Sequence, residues 1–80
     1  MTWTFCVDAT VQERLLSRIL QVLEVQRVSI HFFTGEMNGT GAKVTFAVSS
    51  EENRAYRIEA MLYRLEGIHQ VSVSSEIDVR

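Results

Sequence analysis

The chain has 80 residues, 46% of them hydrophobic and 22% charged, with no proline and a formal net charge of −2. That length fits one domain with a small core, a class that often gains stability by association. Acids and bases are mixed, so no basic tract marks a nucleic-acid partner, and a lone cysteine, Cys6, excludes an internal disulfide and fits a reducing cytoplasm.

The first residues, Met1-Thr2-Trp3-Thr4-Phe5, carry no basic segment and no long apolar run. Neither a signal peptide nor a membrane-spanning helix is predicted. Trp3, Phe5 and Val7 alternate with Thr2, Thr4 and Cys6, which predicts a half-buried first strand, broken at Asp8-Ala9-Thr10. Thr10 and Glu13 have capping-box spacing, so a helix is predicted to start there and to run to about Gln26. Leu15, Leu16, Ile19, Leu20 and Leu23 form its apolar stripe.

Val28, Ile30 and Phe32 alternate with Ser29, His31 and Phe33, predicting a second strand over Val28–Thr34. Gly35 to Gly41 holds three glycines and an Asn-Gly pair, the signature of a hairpin connection. Val44, Phe46 and Val48 alternate with Lys43, Thr45 and Ala47 in a third strand. Ser49 and Glu52 repeat the capping spacing, and Ala55, Ile58, Met61, Leu62 and Leu65 make a second helical stripe. Gly67 is placed to end that helix in a left-handed cap. Val71 and Val73 mark the last strand, and Glu76 to Arg80 are expected to fray.

The order β-α-β-β-α-β predicts an α+β, ferredoxin-like sandwich: a four-stranded antiparallel sheet in order 4-1-3-2, with both helices on one face. Trp3, Phe5, Val7, Ile30, Phe32, Val44, Phe46, Val48, Val71 and Val73 are expected under the helices. Thr4, His31, Lys43, Thr45 and Ser72 are expected on an open face. Strands 2 and 4 are then the edges. The last strand is serine-rich and followed by Glu76, Asp78 and Arg80, which discourage pairing, whereas Val28–Thr34 has no lysine, proline or acid. A homodimer is therefore predicted through this edge, with Ser29, Ile30, His31, Phe32, Phe33 and Thr34 as its strand.

No catalytic or metal-binding constellation is legible. Cys6 and His31 point to the same face, but one strand lies between theirs, leaving about 9–10 Å laterally, beyond a nucleophile–base contact. His31 and His69 have no ligand-spaced companions. The third strand offers Lys43, Thr45 and Ala47 outward, without the aromatic rings that RNA-recognition modules stack on bases. The loop Asp8-Ala9-Thr10-Val11-Gln12 lacks the glycines and arginine of a phosphate loop.

Leu16-Ser17-Arg18-Ile19, followed by Leu20, Val22 and Leu23, and the run Leu62-Tyr63-Arg64-Leu65-Glu66-Gly67-Ile68 before Val71-Ser72-Val73 are similar to the ACT-domain family. Within it the chain most resembles the short small (regulatory) subunit of acetolactate synthase, over nearly all of 1–80, as a single ACT-like domain. The resemblance implies a non-catalytic, cofactor-free regulatory subunit in branched-chain amino-acid biosynthesis. Its implied partner is a catalytic large subunit that holds thiamine diphosphate. It also implies an effector loop at the first strand–helix turn, here Asp8, Thr10, Glu13 and Arg14. The family has Asn or Asp, any residue, then Pro-Gly at that turn; in register, Glu13 stands at the proline and Arg14 at the glycine. Weak or absent feedback by valine is the expected consequence. A stand-alone ACT-like amino-acid sensor serving another enzyme is the alternative.

Overall fold

A computed structural model describes residues 1–76. The elements run β1 (Thr2–Thr10), α1 (Leu15–Gln26), β2 (Ser29–Asn38), β3 (Gly41–Ser49), α2 (Glu52–Tyr63) and β4 (Ile68–Glu76). All three strand pairs are antiparallel and the sheet order is β2-β3-β1-β4, the ferredoxin-like order read from the far edge.

One layer boundary holds the core. Trp3, Phe5, Val7 and Ala9 alternate inward along β1, against Val44, Phe46 and Val48 of β3 and Val71 of β4. Leu15, Ile19, Val22 and Leu23 of α1 and Ala55, Ile58 and Leu62 of α2 close over them. Both helices thus cover the same sheet face. Aromatic rings run across the strands: Phe5 stacks on Phe46 at 4.8 Å between centroids, and Phe46 on Phe33 at 5.8 Å. Trp3 meets Tyr56 edge-on at 5.9 Å and donates its indole N–H to the Ser50 carbonyl.

Several boundaries differ from the sequence expectation. Thr10 does not cap α1; it remains in β1, paired with Gly41. The chain instead turns through residues 11–14, and α1 begins after Arg14, which has φ 65° and ψ 24° and no side-chain cap. Ser49 likewise stays in β3, and the extended Glu51 precedes α2 without a side-chain cap. Asp8 and Ala9 do not break β1, because β3 and β4 pair with it through Ala9.

The second strand is longer than expected. Gly35 to Asn38 continue its pairing with β3, leaving a two-residue turn, Gly39-Thr40. Gly39 has φ 64° and Thr40 does not take positive φ, the pattern of a type II′ hairpin. Gly67 has φ 89° but lies in the α2–β4 turn, beyond the end of α2, and so is not its cap. Glu76 pairs with Thr2 inside β4 rather than fraying, and residues 77–80, with Asp78 and Arg80, lie outside the described residues.

The main correction is in β2. Its register against β3 shifts between Ile30 and Phe32, so an extra residue, His31, is inserted there. Such a bulge reverses which residues face the core. Phe33 pairs with Phe46 and packs on the core, whereas Phe32 pairs with Ala47 on the open face and is 45% exposed. Ile30 keeps the core side opposite Val48 but is 41% exposed at the sheet margin. The expectation that Ile30 and Phe32 are core residues is therefore replaced by Phe33.

Candidate functional site

Three connections meet at one end of the sheet. The Thr10 N–H donates to the Gly67 carbonyl at 2.8 Å, and the Val11 N–H donates to the Thr40 carbonyl at 2.7 Å. The β1–α1 loop is thereby tied to both the α2–β4 turn and the β2–β3 turn. Gly67 is required by space as well as by its φ: a Cβ there would lie 2.7 Å from Gln12 Cγ and 3.1 Å from the Thr10 carbonyl oxygen.

The expected effector-loop residues divide between two sides of this end. Asp8 lies on the open face, 4.0 Å from Lys43 Nζ, in a hollow of about 460 Å³ that also includes Glu36 and His69. The Thr10 hydroxyl hydrogen-bonds His69 Nε2 on the same face. Glu13 is exposed in the turn. Arg14 instead lines a smaller concavity, about 250 Å³, with Gln12, Leu15, Leu16, Ser17 and Met37. Asp8 lines the open-face hollow, Thr10 is bonded to His69 at its margin, and Arg14 stands apart from them beside the start of α1.

Arg14 occupies a conformation that L-residues other than glycine seldom adopt. Left-handed backbone costs a side-chain-bearing residue about 1–2 kcal/mol. This is the position that the resemblance aligns with the family's glycine. Arg27 takes the same conformation at φ 55° just after α1, as a helix-ending residue does, and its N–H bonds the Glu24 carbonyl. The last carbonyl of α1, on Gln26, accepts a hydrogen bond at 3.1 Å from the Arg54 guanidinium of α2. Arg54 thus ties the two helices together. Nothing in the spacing of Arg54, Arg57 and Arg64 distinguishes this role; Arg57 and Arg64 are exposed.

The expected pairing edge is β2. Ser29, Ile30, His31, Phe32 and Thr34 are exposed along it and only Phe33 is half-buried. The strand also contains Glu36, opposite Lys43, so it is less free of charge than Val28–Thr34 alone. His31 is held by a 2.6 Å hydrogen bond between its Nε2 and Ser49 Oγ. Cys6 sits two strands away, opposite Thr45, whose hydroxyl lies 3.9 Å from its sulfur. Ser49 is four residues from Thr45 along β3, about 13 Å, so Cys6 and His31 form no nucleophile–base pair. Among the described residues no group of three His, Cys, Asp or Glu side chains is placed to hold a metal ion, and no helix is long and apolar enough to cross a membrane.

The opposite edge, β4, differs in a way the sequence pattern does not signal. The Tyr63 hydroxyl of α2 accepts the Val71 N–H at 2.9 Å and reaches the Val71 carbonyl at 3.3 Å. Both peptide groups of Val71 that point away from the sheet are occupied by one phenol.

No protein-family model and no curated protein matches the chain. Solved structures do match its fold. The ACT domain from GTP pyrophosphokinase of Chlorobium tepidum superposes with a TM-score of 0.83 at 8% identity, over 92% of this chain and 97% of that one. An uncharacterised protein from Thermotoga maritima gives 0.76 at 11% identity, over 91% and 92%. The regulatory subunit of aspartate kinase from Thermus thermophilus, in ligand-free form, gives 0.69 at 12% identity, over 91% of this chain and 50% of that one. The chain therefore has the fold of an ACT domain.

Proposed function

We propose that this chain is a cytoplasmic, non-catalytic regulatory subunit that binds and activates a thiamine-dependent acetolactate synthase, with weak or absent valine feedback. The observation that carries this reading is Arg14. Its φ of 65° is the conformation that a glycine supplies most easily, at the position where the sequence register places the family's glycine. That agreement supports the register from Leu16-Ser17-Arg18-Ile19 onward. The same residue sets a long cationic side chain where an effector would approach the backbone, which favours docking without feedback.

In this reading the working form is a dimer joined through β2, and the partner is the catalytic large subunit. The chain acts by binding the partner's active conformation better than its inactive one, which moves the equilibrium without any catalytic group of its own. The test is co-purification with a thiamine diphosphate-dependent large subunit, and its activity with and without this chain. Raised activity that added valine does not reverse is the expected result. Failure to bind or to change activity overturns it.

The amino-acid sensor is the competing reading, and the fold shared with a GTP pyrophosphokinase domain and an aspartate kinase subunit favours keeping it. It requires saturable stabilisation by one amino acid, about 2.7 kcal/mol at a hundredfold excess over its dissociation constant. A thermal-shift screen with the twenty amino acids separates the two.

A further inference from the structure

An open four-stranded sheet has two edges, and two different edges can pair head to tail. A β2 edge docked on the β4 edge of another copy leaves a free β2 and a free β4 at the ends, so such pairing does not close and grows into a filament. This chain treats its two edges differently. Along β4, Ser72 lies opposite Cys6, and by the alternation of an antiparallel ladder Val71, Val73 and Ser75 turn their peptide groups outward. Tyr63 occupies the N–H and the carbonyl of Val71, the outward position nearest the α2–β4 turn. Tyr63 as a residue is 47% exposed, so it is not held there by full burial. Along β2 the outward positions are Phe33, Gly35 and Met37, by the same alternation from the Asn38–Gly41 pair that closes the hairpin.

We propose that the Tyr63 phenol is a latch that closes the β4 edge to a second copy of this chain, so that assembly through β2 stops at two. A strand pairing along the whole of β4 must displace the phenol and replace both of its hydrogen bonds at Val71, which leaves only Val73 and Ser75 open without that exchange. At β2 no such displacement is needed, and two β2 strands related by a twofold axis use each other up. The latch is thus what makes an open sheet with two pairing edges a closed dimer. The inference rests on the β2 dimer for the number two, but the state of β4 is read separately.

The test is Tyr63→Phe in the full chain, which keeps the ring and removes the hydroxyl. Mass is measured by light scattering across a concentration series, together with exchange of the Val71 amide hydrogen. The expected result is a mass that rises above wild type with concentration and falls on dilution, with unchanged far-ultraviolet circular dichroism. At the dilute end, where the edge is unpaired, the Val71 amide exchanges roughly tenfold faster or more, the order of effect that a lost hydrogen bond gives. Adding Ser75→Pro, which removes an outward donor from the same edge, returns the mass to that of wild type. A wild-type dimer and a larger variant support both the latch and the β2 reading. A wild-type monomer whose Tyr63→Phe variant dimerises keeps the latch and removes the β2 dimer. A variant whose mass equals wild type at every concentration, or a larger species that Ser75→Pro does not undo, overturns the latch.

Discussion

The bulge at His31 makes two neighbouring phenylalanines energetically unlike, and alanine substitution measures the difference. Phe33 is half-buried and its ring stacks on Phe46 at 5.8 Å, with the planes 18° apart. Fully buried phenylalanines cost about 3–5 kcal/mol on truncation to alanine. Partial burial lowers that to about 2–3 kcal/mol for Phe33→Ala. Phe32 is 45% exposed on the open face, so Phe32→Ala removes little apolar area from contact and costs about 1 kcal/mol or less. In a domain of this size each kcal/mol moves Tm by about 4–8 °C, so Phe33→Ala should lower it by about 8–24 °C and Phe32→Ala by no more than about 8 °C. The assay is thermal unfolding by circular dichroism at two protein concentrations, because an associating edge makes Tm depend on concentration. An unbroken alternation from Ile30 through Phe32 requires the reverse order. Finding Phe32→Ala the more damaging of the two, at both concentrations, would refute the bulge and the reassignment of the core.

Arg14→Gly should raise stability by up to about 1 kcal/mol in chemical denaturation, since relief of left-handed strain exceeds the extra freedom glycine brings to the unfolded chain. If Arg14 also excludes an effector, the same variant gains a response to added valine in the reconstituted enzyme. Gly67→Ala should cost about 1–3 kcal/mol, because the Cβ meets Gln12 at 2.7 Å and the φ of 89° is strained; an unchanged denaturation midpoint would contradict it. Arg54→Met should cost about 1–2 kcal/mol by removing the charged hydrogen bond to the Gln26 carbonyl, read from the same denaturation curves.

The element order was legible because period-2 and period-3.6 patterns are strong where one face is buried. Leu15, Ile19 and Leu23, or Ala55, Ile58 and Leu62, have no other arrangement that hides them. The ends of the helices were not legible from capping spacing. Thr10 and Ser49 had stronger claims on them as strand residues: each pairs in the sheet, and the Thr10 hydroxyl is hydrogen-bonded with His69. The bulge was hidden for a different reason. Ile30-His31-Phe32-Phe33 carries large apolar groups in both phases, so alternation alone cannot reveal an inserted residue. Tyr63 and Arg54 were invisible in principle, since both act on backbone atoms of another element, and such atoms carry no sequence signal.

The two hydrogen bonds at the β1–α1 loop couple it to two other connections of the fold. Thr10 is bonded to Gly67 and Val11 to Thr40, so the loop cannot shift without moving either the α2–β4 turn or the end of the β2 hairpin. Coupling between distant sites requires an element with two arrangements that both sites bias. Here the loop is tied through Gly67 to the turn between Tyr63 and β4, and through Thr40 to the strand that forms the opposite edge. A displacement of the loop beside Arg14 therefore reaches both edges of the sheet, through one backbone contact to each. Deleting either contact should uncouple one edge and leave the other responsive. Val11→Pro removes the N–H given to the Thr40 carbonyl, and altered association through β2 with unchanged Val71 amide exchange in that variant would be the direct sign of that division.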